Sequence, residues 1–203
     1  MKTKISFIFF LCVLFPIVGC SEPELSELKQ SVRKLRSQFG LKPDKFAIIV
    51  DVSEQKLYLI KGEEIVRSYW VSTSKYGIGN KEGSNKTPLG THRICEKIGK
   101  GAKMGSIFKS GINTGKIAKI YTDSTDIQED LITTRIMWLE GLEIGINKGK
   151  GIDSYERRIY IHGTPEEGLI GAPASHGCIR TRNKDVLQLF DLVPKGTLVE
   201  IQK

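Results

Sequence analysis

Two histidines and one cysteine crowd a single short stretch: His162-Gly163-Thr164, then Ser175-His176-Gly177-Cys178-Ile179-Arg180. A free thiol is a weak nucleophile until a base or a positive charge converts it to thiolate. Histidine titrates near neutrality and supplies that base. These residue types suit acyl transfer or hydrolysis through a thiol. Cys178 attacks a carbonyl, and His162 takes the thiol proton and returns one to the leaving amine. Backbone N–H groups around Gly177 and Cys178 are expected to hold the developing oxyanion. His176 stands two residues from Cys178, too near to be its obvious base, and is assigned to the pocket lining. Arg180 is expected to attract a substrate carboxylate. Other chemistries stay open on these residues alone. A cysteine among strands can be a small buried apolar group. His162, His176 and Cys178 can also ligate zinc, although a fourth ligand and the usual paired-cysteine spacing are missing.

The elements that must position these groups read mainly as strands. Residues 46–52, 56–60 and 64–72 are apolar or alternating runs separated by Ser53-Glu54-Gln55 and Lys61-Gly62-Glu63. That spacing predicts an antiparallel meander. Thr87-Pro88-Leu89-Gly90 leads into a strand over 91–94, where His92 reads as packing or cleft wall. A strand over 158–161 runs straight into His162. Asn183 is placed to cap a helix carrying Val186, Leu187, Leu189 and Phe190. Pro194-Lys195-Gly196 turns into a last strand, 197–201. Residues 96–140 are rich in Gly, Lys, Ser and Thr and show no clear period; they read as an insertion shaping a cleft.

The amino terminus sets the compartment. Lys2 and Lys4 precede an apolar run, Ile5 to Val18, that is short for a membrane span and ends at Gly19 before Cys20. This is the pattern of a secretory signal. Ile17-Val18-Gly19-Cys20 resembles a bacterial lipobox, which makes residues 1–19 a signal peptide and Cys20 a lipidated first residue. Residues 20–44 then form a tether. Leu25, Leu28, Val32, Leu35 and Phe39 recur in it at helical spacing, and Gly40 and Pro43 end the run. With Cys12 removed and Cys20 lipidated, Cys95 and Cys178 remain, and in an oxidising compartment the two can pair.

The 203-residue chain carries a net charge of +8, and +6 once Lys2 and Lys4 leave with residues 1–19. A basic surface suits an anionic partner. No block of like charge and no helix-turn-helix or RNA-binding signature is present, which argues against nucleic acid.

Thr87-Pro88-Leu89-Gly90, Ile161-His162-Gly163-Thr164, Ile170-Gly171 and Ala174-Ser175-His176-Gly177-Cys178-Ile179-Arg180 occur in order over residues 45–202. Together they resemble the L,D-transpeptidase catalytic domain, also called the YkuD domain. The resemblance implies a mainly β fold, an antiparallel sandwich or barrel with one or two short helices. It implies Cys178 as nucleophile and His162 as general base, with Ser175, His176, Gly177 and Arg180 shaping the pocket. It implies action outside the cytoplasm on peptidoglycan stem peptides, with D-alanine released, a thioester formed on the cysteine and an amine acceptor resolving it. No metal or cofactor is expected. A lipid anchor at Cys20 fits a cell-envelope site facing the periplasm or wall. Hydrolysis of the same thioester, and wall-peptide binding without turnover, remain the alternatives.

Overall fold

The segment Ala47-Ile48-Ile49-Val50 is apolar without alternation because both of its faces are covered. In the computed structural model, which describes residues 22–203, this segment lies in β1 (Phe46–Asp51). Ile48 and Val50 point into the main core with Leu57, Leu59, Val71, Ile161 and Ile179. Ile49 points outward with Tyr58 and Ile60, and there Leu28 and Val32 of the helix α1 (Glu22–Phe39) close over it. Burying side chains of this size contributes about 1.5–3 kcal/mol each. The expected tether thus folds back as a helix docked on the sheet. Polar contacts reinforce it: Lys34 Nζ lies 2.8 Å from both Glu143 and Glu200, and Ser31 donates to Gln202. The signal-like run and Cys20 lie outside the described residues.

The fold is mainly β. β1 pairs antiparallel with β2 (Lys56–Lys61), and β2 with β3 (Glu64–Ser72), as the sequence predicts. The sheet continues through β9 (Ile179–Thr181), β8 (Tyr160–Gly163), β7 (Ile132–Gly141), β4 (Gly90–Ile98) and β10 (Leu198–Gln202) back to β1. The β4–β7 pairing closes an eight-stranded barrel. A hairpin, β5 (Ser106–Lys109) and β6 (Ile112–Ile117), hangs from β7 outside the ring.

Three expectations need correction. The ring is not wholly antiparallel: β1–β10 and β8–β9 are parallel. Parallel neighbours need a crossover connection, and the crossover from β8 to β9 is the segment 164–178 that carries the Ser-His-Gly-Cys motif. Residues 96–140 are not one irregular insertion, since they hold part of β4, both hairpin strands and most of β7. Asn183 does not cap α2 (Asn183–Leu192). Arg182 is the N-cap, and Asn183 is the first helical residue. The Asn183 side chain instead ties strands together, accepting from Thr133 and Thr134 and donating to Thr164 O at 2.8 Å. Its backbone N–H is met by the carboxylate of Glu167 at 2.8 Å.

Cys95 and Cys178 are both free thiols. Cys95 sits at the register shift of β4 beside Trp138, Trp138 pairs with Tyr160, and Tyr160 stands next to Cys178 across the β8–β9 pair. Three strand spacings of ~4.8 Å separate the cysteines, well beyond the ~7 Å Cα limit for a disulfide.

Candidate active site

The site is built where β8 and β9 run side by side. Their register pairs Ile161 with Ile179 and His162 with Arg180. Side chains alternate along a strand, so Ile161 and Ile179 face the core while His162, Arg180, Tyr160 and Cys178 share the opposite face. His162 lies in β8 and Cys178 immediately precedes β9, so the parallel pair brings their stretches side by side.

His162 is 1% exposed, and its Nδ1 lies 2.8 Å from the Gly163 carbonyl. A carbonyl only accepts, so Nδ1 carries the hydrogen and Nε2 keeps its lone pair. The ring is fixed in the tautomer a general base needs. Gly163 makes that fit possible: a Cβ there would sit 2.6 Å from Asn183 Oδ1 and 2.9 Å from Thr133 O. The glycine of the His-Gly pair is thus a packing requirement.

Cys178 is a half-buried residue whose thiol donates to the Arg158 carbonyl at 3.4 Å. Burial pushes it up to about 12, and the nearby Asp130 charge adds to that. Burial also lowers His162, against the pull of Asp130 and the Gly163 carbonyl. Both shifts favour the neutral forms at rest, a thiol at Cys178 and an uncharged imidazole at His162.

The turn that presents Cys178 is braced from within. Gly177 has φ +121°, a conformation that favours glycine. Its N–H donates to Ser175 Oγ at 3.2 Å, and Ser175 Oγ donates to Cys178 O at 2.6 Å. Thr87, from the Thr-Pro-Leu-Gly turn, donates to Gly177 O and accepts from Ser74 N–H. Ser175 is therefore a buried brace, and the Gly177 N–H expected at the oxyanion is already engaged. Arg180 also departs from expectation. It is 2% exposed, with Nε and NH2 on Asp130 Oδ1 at 2.9 and 2.7 Å and NH1 on Glu166 Oε2 at 2.6 Å. Its charge is matched inside the protein, so it holds the motif in place and does not wait for a substrate carboxylate. Of the four pocket residues expected, His176 is the one that presents a partly exposed side chain, beside the exposed ring of Tyr76 at 5.6 Å.

Several residues of the site lie outside the motif. Asp130, from the segment before β7, receives Arg180 and both the N–H and Nδ1 of His176. Burial alone would raise its carboxyl, but Arg180 and His162 hold it below the usual carboxylate value. Arg157 donates to Asn80 O and Lys86 O, pinning the 75–86 loop over the site. Tyr160, two residues before His162, is buried with its hydroxyl unpartnered. Among the described residues, no three His, Cys, Asp or Glu side chains converge as metal ligands. None of the described helices is long and apolar enough to cross a membrane.

Residues 45–201 match the family model of the L,D-transpeptidase catalytic domain, YkuD. The Bacillus subtilis protein YkuD is 51% identical over 43 residues, 21% of this chain and 26% of that one. The Escherichia coli protein named Probable L,D-transpeptidase YbiS is 51% identical over 47 residues, 23% of this chain and 15% of that one. The matched segments thus span about a quarter or less of these relatives' length. Among solved structures, an L,D-transpeptidase from Mycobacterium smegmatis superposes with a TM-score of 0.48 at 17% identity, covering 78% of this chain and 59% of that one.

Proposed function

Because the chain belongs to the L,D-transpeptidase catalytic domain (YkuD) family, we propose that it transfers the acyl group of a peptidoglycan stem tetrapeptide through a thioester on Cys178. The observation that carries this reading is the pinned tautomer of His162, whose free Nε2 shares a sheet face with the thiol. As Cys178 Sγ bonds to the carbonyl carbon before the terminal D-alanine, the thiol proton passes to His162. The imidazolium then protonates the departing amine as the C–N bond breaks, and D-alanine leaves. An amine acceptor enters, gives its proton to His162 and attacks the thioester. The S–C bond breaks, Cys178 regains its proton, and a cross-link or a protein attachment remains. The partly exposed His176 and Tyr76 line the approach.

The same proposal places the protein in the cell envelope, lipid-anchored at Cys20 and facing the periplasm or wall. Its support is the lipobox-like sequence and the net basic charge. The docking of α1 adds that the catalytic barrel would then sit close to the membrane that holds it.

Intact-protein mass spectrometry with a tetrapeptide wall fragment tests the chemistry. An acyl adduct on the wild type, absent in Cys178→Ala, is expected, with D-alanine released. Absence of both from a chain with a free thiol would refute it. Adding an amine acceptor separates transfer from hydrolysis by the product formed.

A further inference from the structure

The segment 121–131 crosses the catalytic motif without belonging to it. Tyr121 bridges Glu166 and donates its N–H to Pro165 O at 2.7 Å. Ile127 N–H donates to Glu166 Oε1 at 2.6 Å. Lys75 approaches Asp126 at 3.8 Å. These contacts hold the segment against both the crossover and the 75–86 loop. At its end one carboxylate, Asp130, points inward.

Its two oxygens divide the motif between them. Oδ1 accepts Nε and NH2 of Arg180. Oδ2 accepts the His176 N–H at 3.0 Å and its Nδ1 at 3.1 Å. A carboxylate oxygen only accepts, so His176 carries its hydrogen on Nδ1 and turns Nε2 away from Asp130. The residues two before and two after Cys178 are therefore clamped to a single group from another part of the chain. Charge-assisted bonds of this kind are shorter and about twice as strong as neutral ones.

We infer that Asp130 is the positioning carboxylate of this site: it grips Arg180 and His176 on either side of Cys178 and sets a negative charge beside the pair that exchanges the proton. The inference rests on the reading of Cys178 and His162 as that pair.

The charge has a definite sign of action. It favours the imidazolium of His162 and opposes the thiolate of Cys178. Other charges face the same space. Arg180 lies on β9, His162 on β8, and His176 and Glu166 on the crossover. Arg157 precedes β8 and acts on Cys178 in the opposite sense to Asp130. Asp126, on the segment of Asp130 itself, is turned to Lys75. Removing the Asp130 charge while keeping an acceptor oxygen should therefore move both titrations downward together.

The test is Asp130→Asn in the full chain, solubilised in detergent. Two rates on Cys178 are followed by peptide mass mapping: alkylation by iodoacetamide and acylation by the tetrapeptide fragment. Alkylation at pH 8 should rise roughly tenfold, the effect of about one unit on the thiol. Acylation should fall by about tenfold or more, with its pH profile displaced to lower pH. Asp130→Glu should restore the wild-type alkylation profile, because it restores the charge. Loosening of the fold would also speed alkylation and slow acylation, but it would not carry the acylation profile to lower pH; an unshifted profile, unchanged rates, or rates that move in parallel therefore overturn the inference. Asp130→Ser must show the same separation if the asparagine variant does not fold. A chain that folds only with a carboxylate here would make Asp130 purely structural, which also overturns it. Were the wild type not acylated at all, the proposed reaction would fail, while the alkylation profile would still report the charge.

Discussion

The Nδ1 of His162 and the carbonyl of Gly163 lie 2.8 Å apart, a hydrogen bond between a side chain and the next residue of its own strand. No third side chain is needed to orient the base, since the backbone does it. His162→Ala should therefore slow acylation of Cys178 by roughly 10²–10⁴, the range for a positioned general base. Adduct formation timed by mass spectrometry checks this, and acylation at the wild-type rate would remove His162 from the role.

The thiol of Cys178, raised to about 12 by burial and then by Asp130, is protonated at neutral pH. In the absence of substrate its alkylation should climb about tenfold per pH unit above neutrality, without the plateau near 8.5 of an ordinary cysteine. A plateau below pH 8 would mean a preformed thiolate.

His92 is fully buried, with Nδ1 on Gly90 O and Nε2 on Ser154 Oγ, both at 2.9 Å. Burial lowers it from 6.5 to about 4. Between those values the unfolded chain binds a proton that the folded chain refuses. Stability should thus fall as pH drops from 6.5 toward 4, by about 3 kcal/mol in all, and this contribution is flat above 6.5. Urea unfolding measured across that window, with His92→Gln as the flattened control, tests the expectation.

Gly163→Ala should destabilise the protein by about 1–3 kcal/mol, the usual cost of overpacking. The added methyl meets Asn183 Oδ1 and Thr133 O, so the strand must shift and His162 with it. Thermal unfolding and acylation rate should both decline, the rate more steeply.

Lys34→Ala leaves two carboxylates, Glu143 and Glu200, facing each other at the joint between α1 and the barrel. Glu200 is 7% exposed, but Lys34 is 28% exposed and partly screened. A loss of about 1–2 kcal/mol is expected. Hydrogen exchange should show it first in α1.

Periodicity made much of this fold legible. β1, β2 and β3 fall within a residue of the runs read from the sequence, because each strand carries its core contacts in local order. His162 and Cys178 stood out by residue type and spacing, and the parallel β8–β9 register accounts for why their two stretches lie side by side. Asp130 was not. It lies in a stretch without period, and its importance depends on Arg180 and His176, which are distant in sequence. Arg180 misled for the same reason: a guanidinium shows its charge in a sequence but not the two carboxylates that consume it. Asn183 looked like a cap because it opens a helix, while its side chain is spent on Thr133, Thr134 and Thr164.

The barrel closes only when β10 slots between β4 and β1, pairing Ala47 with Leu198 across nearly the whole domain. A chain emerging from synthesis already holds His162 and Cys178 before residues 198–202 exist, yet has no ring to hold them. Contacts this distant in sequence slow folding, and here the last strand is also the keystone. Competence therefore arrives late and all at once, and a truncation of only the final strand should cost the enzyme everything that the site residues alone would suggest it keeps.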